Sequence, residues 1–184
     1  QHRSHEKICS LINKPFYNNA LESTNIEISE KEKMDPFGGK VIKHLKPLSS
    51  NKTEKKNGSR LNHLSAMQVV DIIKLYHKSS FPGKNIGIIT PYRQQVKLIK
   101  SLLIDCNFEK AFENKLKVGT IHSFQGSEAD IIIFDIVDSG TSVGKLFKYE
   151  TGKRLVNGAI SRAKHKLIFC GDLEVFENNI NVDM

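Results

Sequence analysis

The sequence predicts an α/β domain built on a mostly parallel sheet with helices on both faces. Two observations lead there. The runs "IGIIT" (86–90), "DIIIFDIV" (130–137) and "KLIFCGD" (166–172) are apolar along most of their length rather than alternating, as in strands buried on both faces. Between them lie stretches whose apolar residues recur at helical spacing, so strand and helix alternate along the chain.

Taken in order, residues 31–58 are loop-rich and expected to be partly disordered. "EKEKMDPFGGK" and "PLSSNKTEKKNGS" are full of Lys, Ser, Asn, Gly and Pro, and they flank one short strand, Val41 to Leu45. Leu64, Met67, Val70, Ile73 and Tyr76 mark a helix that "FPGKN" ends before the strand at Ile86. "YRQQVKLIKSLL" reads as an amphipathic helix with Val96, Ile99 and Leu103 inward. Lys117 to Thr120 and Asp130 to Val137 are strands, 153–163 is helical, "KLIFCGD" is the last strand and "LEVFENN" starts a closing helix. In a parallel sheet, functional groups gather at the carboxyl ends of strands. Thr90-Pro91-Tyr92, the polar knot from His122 to Glu128, and Asp135 to Ser139 all flank strands, so one edge of the sheet is the expected working edge.

The 184 residues fit one domain, 1–184, large enough for a real core. No apolar run approaches the roughly 20 residues that span a bilayer, and no signal-peptide pattern opens the chain. Three scattered cysteines, Cys9, Cys106 and Cys170, predict a reduced, cytoplasmic setting without a disulfide framework. The net charge of +8 suits a polyanionic partner, or simply a basic surface. The chain opens on Gln1 rather than an initiator Met, and a longer parent protein is expected.

Several familiar sites are excluded. "DSGTSVGKL" has 3 residues between Gly140 and Gly144, and Leu146 follows the lysine. A phosphate loop needs about four residues there and a Ser or Thr to hold magnesium. Without that partner, Asp135 and Asp138 read as strand-end capping groups. His2, His5 and Cys9 fall short of the roughly four ligands of a closed zinc site, so no metal site is expected. Ser123 beside His122 is no catalytic pair, because such partners converge from separate elements.

Three stretches remain: "IGIITPYRQQV" (86–96), "VGTIHSFQGSEADIIIF" (118–134) and "RLVNGAISRAKHKLIFCGD" (154–172). In order and spacing they resemble motifs IVa, V and VI of the second RecA-like domain of superfamily 1 helicases. The opening "QHRSHEKICSLINKPFYNNALES" is similar to the segment after motif III in the 5′-to-3′ branch, the Upf/Dna2-like one. There a Gln-x-Arg element precedes a helix. "GSRLNHLSAMQVVDII" matches that branch's Asn before a helix packed on the sheet. The resemblance covers nearly the whole chain apart from the loop-rich stretch.

The resemblance implies a three-layer RecA-like domain, of the phosphate-loop NTPase type, that closes over ATP and Mg2+ held mainly by an N-terminal RecA-like domain not contained in this chain. Arg162 would be the motif VI arginine finger and Arg3 a second γ-phosphate contact, with surface salt-bridging as the plainer role for either. Gln1 would help position the nucleotide or the attacking water, and Glu128 would take the ribose. Gly126 would allow close backbone approach, and Gln125 would couple the two sites. On the nucleic-acid side the resemblance places Thr90, Pro91, Tyr92, Gln95, Thr120, His122 and Ser123. Hydroxyls and amides of this kind hold phosphate and sugar without reading sequence. Tyr92 would stack a base, or serve as a tyrosine at the edge of the core. The chain departs from the pattern at Gly158, Ser127, His2 and Ser4, none of which removes a charge the mechanism needs.

The expected function is therefore the second motor domain of an ATP-dependent helicase or translocase on single-stranded DNA or RNA. The isolated chain would be inactive toward ATP. The alternatives are an ATPase that remodels nucleic-acid complexes without unwinding, and a degenerate binding module.

Overall fold

Five parallel strands carry the domain in the computed structural model, which describes residues 4–22, 35–46, 52–79, 84–108, 115–139, 143–147 and 149–180. In chain order the elements are α1 (Glu6–Tyr17), β1 (Ile42–Leu45), β2 (Glu54–Lys56), β3 (Ser59–Leu61), α2 (His63–Lys78), β4 (Ile86–Thr90), α3 (Arg93–Asp105), β5 (Leu116–Thr120), β6 (Ala129–Asp135), α4 (Tyr149–Ile160), β7 (Ala163–Cys170) and α5 (Leu173–Ile180). Short 3₁₀ turns occupy His122–Phe124 and Lys145–Phe147. The sheet order is β1-β7-β6-β4-β5, parallel at every pairing. The predicted fold class is the observed one. No helix among the described residues is long and apolar enough to cross a membrane.

The unbroken apolar runs are explained by the two cores. Along β6, Ile132 and Phe134 face one core while Ile131 and Ile133 face the other. Along β7, Leu167 and Phe169 split from Ile168 and Cys170 in the same way. Side chains alternate across a strand, so a strand covered on both faces must be apolar at every position. The first core takes Ile8 and Ile12 of α1 and Val156, Ala159 and Ile160 of α4. The second takes Val69, Val70 and Ile73 of α2 and Ile99 and Leu103 of α3.

The faces follow from handedness. A connection between parallel strands is almost always right-handed, so its direction along the sheet decides which face it crosses. The steps β1→β4 and β4→β5 run one way and put α2 and α3 on one face. The steps β5→β6 and β6→β7 run back and use the other, where α4 lies. Connections therefore leave the adjacent strands β4 and β6 on opposite sides, which opens a crevice at their carboxyl ends, the usual ligand position in such sheets.

Two readings need correction. Residues 52–61 are not a loop: β2 and β3 form an antiparallel hairpin turned by Asn57-Gly58, both at positive φ (50° and 72°). An Asn-Gly pair satisfies that turn with little strain, and "KNGS" was the overlooked signal. On the helices, Met67 is 54% exposed, and on α3 the inward residue of the first turn is Gln95, not Val96.

Candidate functional site

The polar knot does not lie at one edge of the sheet. It leaves the carboxyl end of β5 at Thr120 and enters the amino end of β6 at Ala129, whose N–H donates to the Arg162 carbonyl (3.0 Å). Strands of five to seven residues separate those edges by roughly 16–23 Å. The expectation of a single working edge is thus replaced by a segment that crosses the sheet and has a different neighbourhood at each end.

Local bonds fold the crossing. Ser123 Oγ donates to the Thr120 carbonyl (2.7 Å), Gln125 N–H to His122 O (3.2 Å), and Ser127 N–H to Phe124 O (2.9 Å). Gly126 takes φ +76°, which turns the chain toward Glu128. Phe124, 1% exposed, pins the middle. Its ring lies over Gly87 of β4 and Gly119 of β5, where an added Cβ would come within 2.8 Å and 3.2 Å of it. Two glycines on neighbouring strands make the hollow that lets a polar segment lie flat on the sheet. Lys117 stacks over the same ring (4.7 Å to its centroid) and donates to Ser127 Oγ (2.8 Å).

Between this crossing and α4 is a cleft of about 340 Å³, lined by His122, Gln125, Arg154, Arg162 and the small floor of Gly158 and Ile121, among others. Arg154, Gly158 and Arg162 recur every four residues, so they share one face along α4 and its end. Arg162 Nε donates to the Gly158 carbonyl (3.1 Å), which fixes the fork at the negative end of the helix dipole. Its terminal nitrogens bond no described residue. Gly158, between Arg154 and Arg162 in sequence, brings no side chain into the cleft. Arg154 was not singled out from the sequence, although its spacing from Arg162 was legible.

Glu128 is outside the cleft lining. Its carboxylate lies 3.5 Å from Lys164 Nζ, at the amino edge of β6 and β7. Gln1 and Arg3 fall outside the described residues. The chain just after them is well anchored: Ser4 is 2% exposed and His5 N–H donates to the Lys164 carbonyl (2.7 Å).

The residues expected on the nucleic-acid side divide. His122 and Ser123 are exposed and Thr120 is half-buried. His122 turns out to line the same cleft as Arg162. Thr90, Pro91, Tyr92 and Gln95 are interior. Side-chain contact with a strand does not fit that burial, and for Tyr92 and Gln95 internal bonds take its place. Tyr92 donates to Asp138 Oδ2 (2.6 Å). Gln95 Nε2 donates to Asp135 Oδ2 (2.6 Å) and the Asn62 carbonyl (3.1 Å), while its Oε1 accepts from Asn62 N–H (2.8 Å). Asp135 also accepts from Ser65 Oγ and Val137 N–H, and Asp138 accepts from Gly144 N–H (2.8 Å) and ion-pairs with Arg60 (2.8 Å). Burial pushes the Asp135 carboxyl up to about 6 against those three donors, and raises Asp138 and the Tyr92 phenol as well. The crevice between β4 and β6 is thus filled by the protein's own side chains.

That filling extends into the glycine-rich stretch after β6. Gly144 supports Asp138, and a Cβ there would lie 2.0 Å from the Tyr92 hydroxyl, so Gly144 is a packing position of the filled crevice. Among the described residues no group of His, Cys, Asp or Glu could hold a metal ion.

A mostly parallel five-stranded sheet with helices on both faces is a RecA-like α/β fold. The solved C-terminal domain of a possible DNA helicase from Lactobacillus plantarum shares this fold, with a TM-score of 0.54 over 97% of this chain and 94% of that one at 12% identity. The chain belongs to the family described as an AAA domain, whose profile matches residues 1–174, and within it to the superfamily 1 helicases of Upf/Dna2 type. It is 29% identical to the DNA replication ATP-dependent helicase/nuclease DNA2 of Xenopus laevis over 93% of this chain and 18% of that protein. It is 30% identical to an uncharacterized ATP-dependent helicase of Methanocaldococcus jannaschii (94% and 26%), and 27% identical to helicase sen1 of Schizosaccharomyces pombe (97% and 11%). The chain therefore spans about a quarter or less of these relatives.

Proposed function

We propose that this chain is the second motor domain of an ATP-driven helicase or translocase that moves 5′ to 3′ on single-stranded DNA or RNA. The carrying observation is the convergence of Arg162, Arg154, His122 and Gln125 on one cleft beside a segment that crosses the sheet. A transferring phosphoryl group spreads negative charge over its oxygens, and a planar guanidinium meets two of them at once. Arg162, with Nε already bonded to the helix end, presents its terminal nitrogens for that purpose, and Arg154 adds a second cation. Arg3 is the other γ-phosphate contact: its successors Ser4 and His5 are packed beside Lys164, two residues from Arg162. Gln1 helps position the nucleotide or the attacking water, Glu128 takes the ribose, and Gly126 gives the backbone its close approach.

Magnesium and a phosphate loop come from an N-terminal RecA-like domain. Asp135 and Asp138 are committed to internal hydrogen bonds, so holding the metal does not fall to either of them. Thr120 and Ser123 hold the nucleic acid at the carboxyl edge. His122 and Gln125 lie between strand and nucleotide, which suits coupling.

In the full-length protein, Arg162→Ala is expected to lower nucleic-acid-stimulated ATP turnover by about 10³-fold or more, the usual worth of an arginine finger. Strand affinity should stay near wild type. Unchanged turnover overturns the assignment, as does robust hydrolysis by the isolated chain that the same substitution abolishes.

A further inference from the structure

The surface over the carboxyl ends of β4 and β6 is not made by Thr90, Tyr92 or Gln95. It is made by the β2–β3 hairpin. Thr53 Oγ1 donates to the Val137 carbonyl (3.1 Å) and accepts from Ser139 N–H (3.0 Å), and Asn62 Nδ2 donates to the same Val137 carbonyl (3.0 Å). Ser59 Oγ accepts from Gln94 N–H at the start of α3 (3.3 Å), and Arg60 reaches down to Asp138. The hairpin is thereby fastened at its base over the sealed crevice. Its outer part stands clear. Neighbours on a strand point to opposite faces, yet Lys55 and Lys56 are both exposed, as is Lys52. None of the three forms an ion pair with a described residue. Arg93, beside Ser59, and Lys145, after Gly144, are exposed on the flanks. The one acidic group on β2 is Glu54, also exposed.

We propose that this hairpin is a phosphate-backbone grip for single-stranded nucleic acid, with Lys52, Lys55 and Lys56 as its contacts and Arg93 and Lys145 extending the track. The inference rests on the nucleic-acid reading above and specifies where the strand is held. Lysines on a protruding ribbon meet phosphates as point charges without selecting bases, which is the contact a translocating motor needs. The strand lies across the hairpin toward Thr120 and Ser123, on the same edge of the sheet. Tyr92 then acts beneath the strand, as a support for the ribbon through Asp138 and Arg60.

The test uses the full-length protein without nucleotide and fluorescence anisotropy of labelled oligothymidylate and oligouridylate over a salt series. The triple variant Lys52→Ala/Lys55→Ala/Lys56→Ala is expected to raise Kd roughly tenfold at low salt and to lower the salt slope by about 2, at about 0.7 per phosphate for each of three lysines. The matched Arg triple should bind as wild type. A control triple on exposed helix lysines, Lys78→Ala/Lys97→Ala/Lys100→Ala, should change little. Loss with one oligonucleotide alone makes the grip specific to that backbone; loss with both makes it a general phosphate grip. Wild-type binding with an unaltered slope in the hairpin variant overturns the grip and leaves the motor reading standing. Equal losses in the hairpin and control triples also overturn it. Failure of the wild type to bind either strand overturns both.

Discussion

Asp135 offers the sharpest physical test of the sealed crevice. It is fully buried, and its carboxyl is raised from 3.8 to about 6 chiefly by desolvation. The native state therefore keeps a proton that the unfolded chain gives up as pH rises through about 4. Below that pH both states are protonated and the residue costs nothing. Between about 4 and 6 stability falls, and above about 6 the full cost of an ionised buried carboxylate is present. A shift of about 2 pK units corresponds to about 3 kcal/mol. Asp135→Asn removes the titration but also places an amide N–H₂ against Gln95 Nε2, two donors facing one another, which costs about 1–3 kcal/mol. The difference at a single pH is therefore ambiguous in sign, and the slope is not. Urea unfolding of the domain, followed by far-ultraviolet circular dichroism from pH 4 to 7, should show the variant gaining about 3 kcal/mol on the parent across that interval. A difference that stays flat refutes the buried, raised carboxyl and the sealing it belongs to.

The other predictions concern the crossing segment and the filled crevice. Gly87→Ala would put a Cβ 2.7 Å from Ile132 Cδ1 and 2.8 Å from the Phe124 ring, so it should destabilise by about 1–3 kcal/mol and lower nucleic-acid stimulation of ATP turnover together; normal coupling in a destabilised variant would show that Phe124 does not position the knot. Tyr92→Phe removes a buried donor to Asp138 and should cost about 1–3 kcal/mol in urea unfolding. Unchanged stability would return Tyr92 to the surface.

The sheet was readable because burial on both faces forces unbroken apolar runs, and β4, β6 and β7 carry them. The motifs were readable as residue types. Their placement was less so. Gln95 and Tyr92 look like surface groups until Asn62, Asp135 and Asp138 are seen beside them, and those partners are 33–46 residues away in sequence. The knot looked like a strand-end loop because a sequence shows which residues follow a strand but not where the next strand lies. Here β4 intervenes between β5 and β6, so the connection must cross the sheet. The hairpin was hidden by composition: its exposed lysines resemble those of a loop, and only Asn57-Gly58 marked the turn.

The filled crevice also has a thermodynamic consequence. A protein that leaves such a site open gains stability from whatever binds there, by an amount that rises with ligand concentration. Tyr92, Arg60 and Gln95 act instead as tethered occupants, supplied at the high effective concentration of a single chain. That site is saturated at folding, and its contribution is indifferent to how much nucleotide the solution contains.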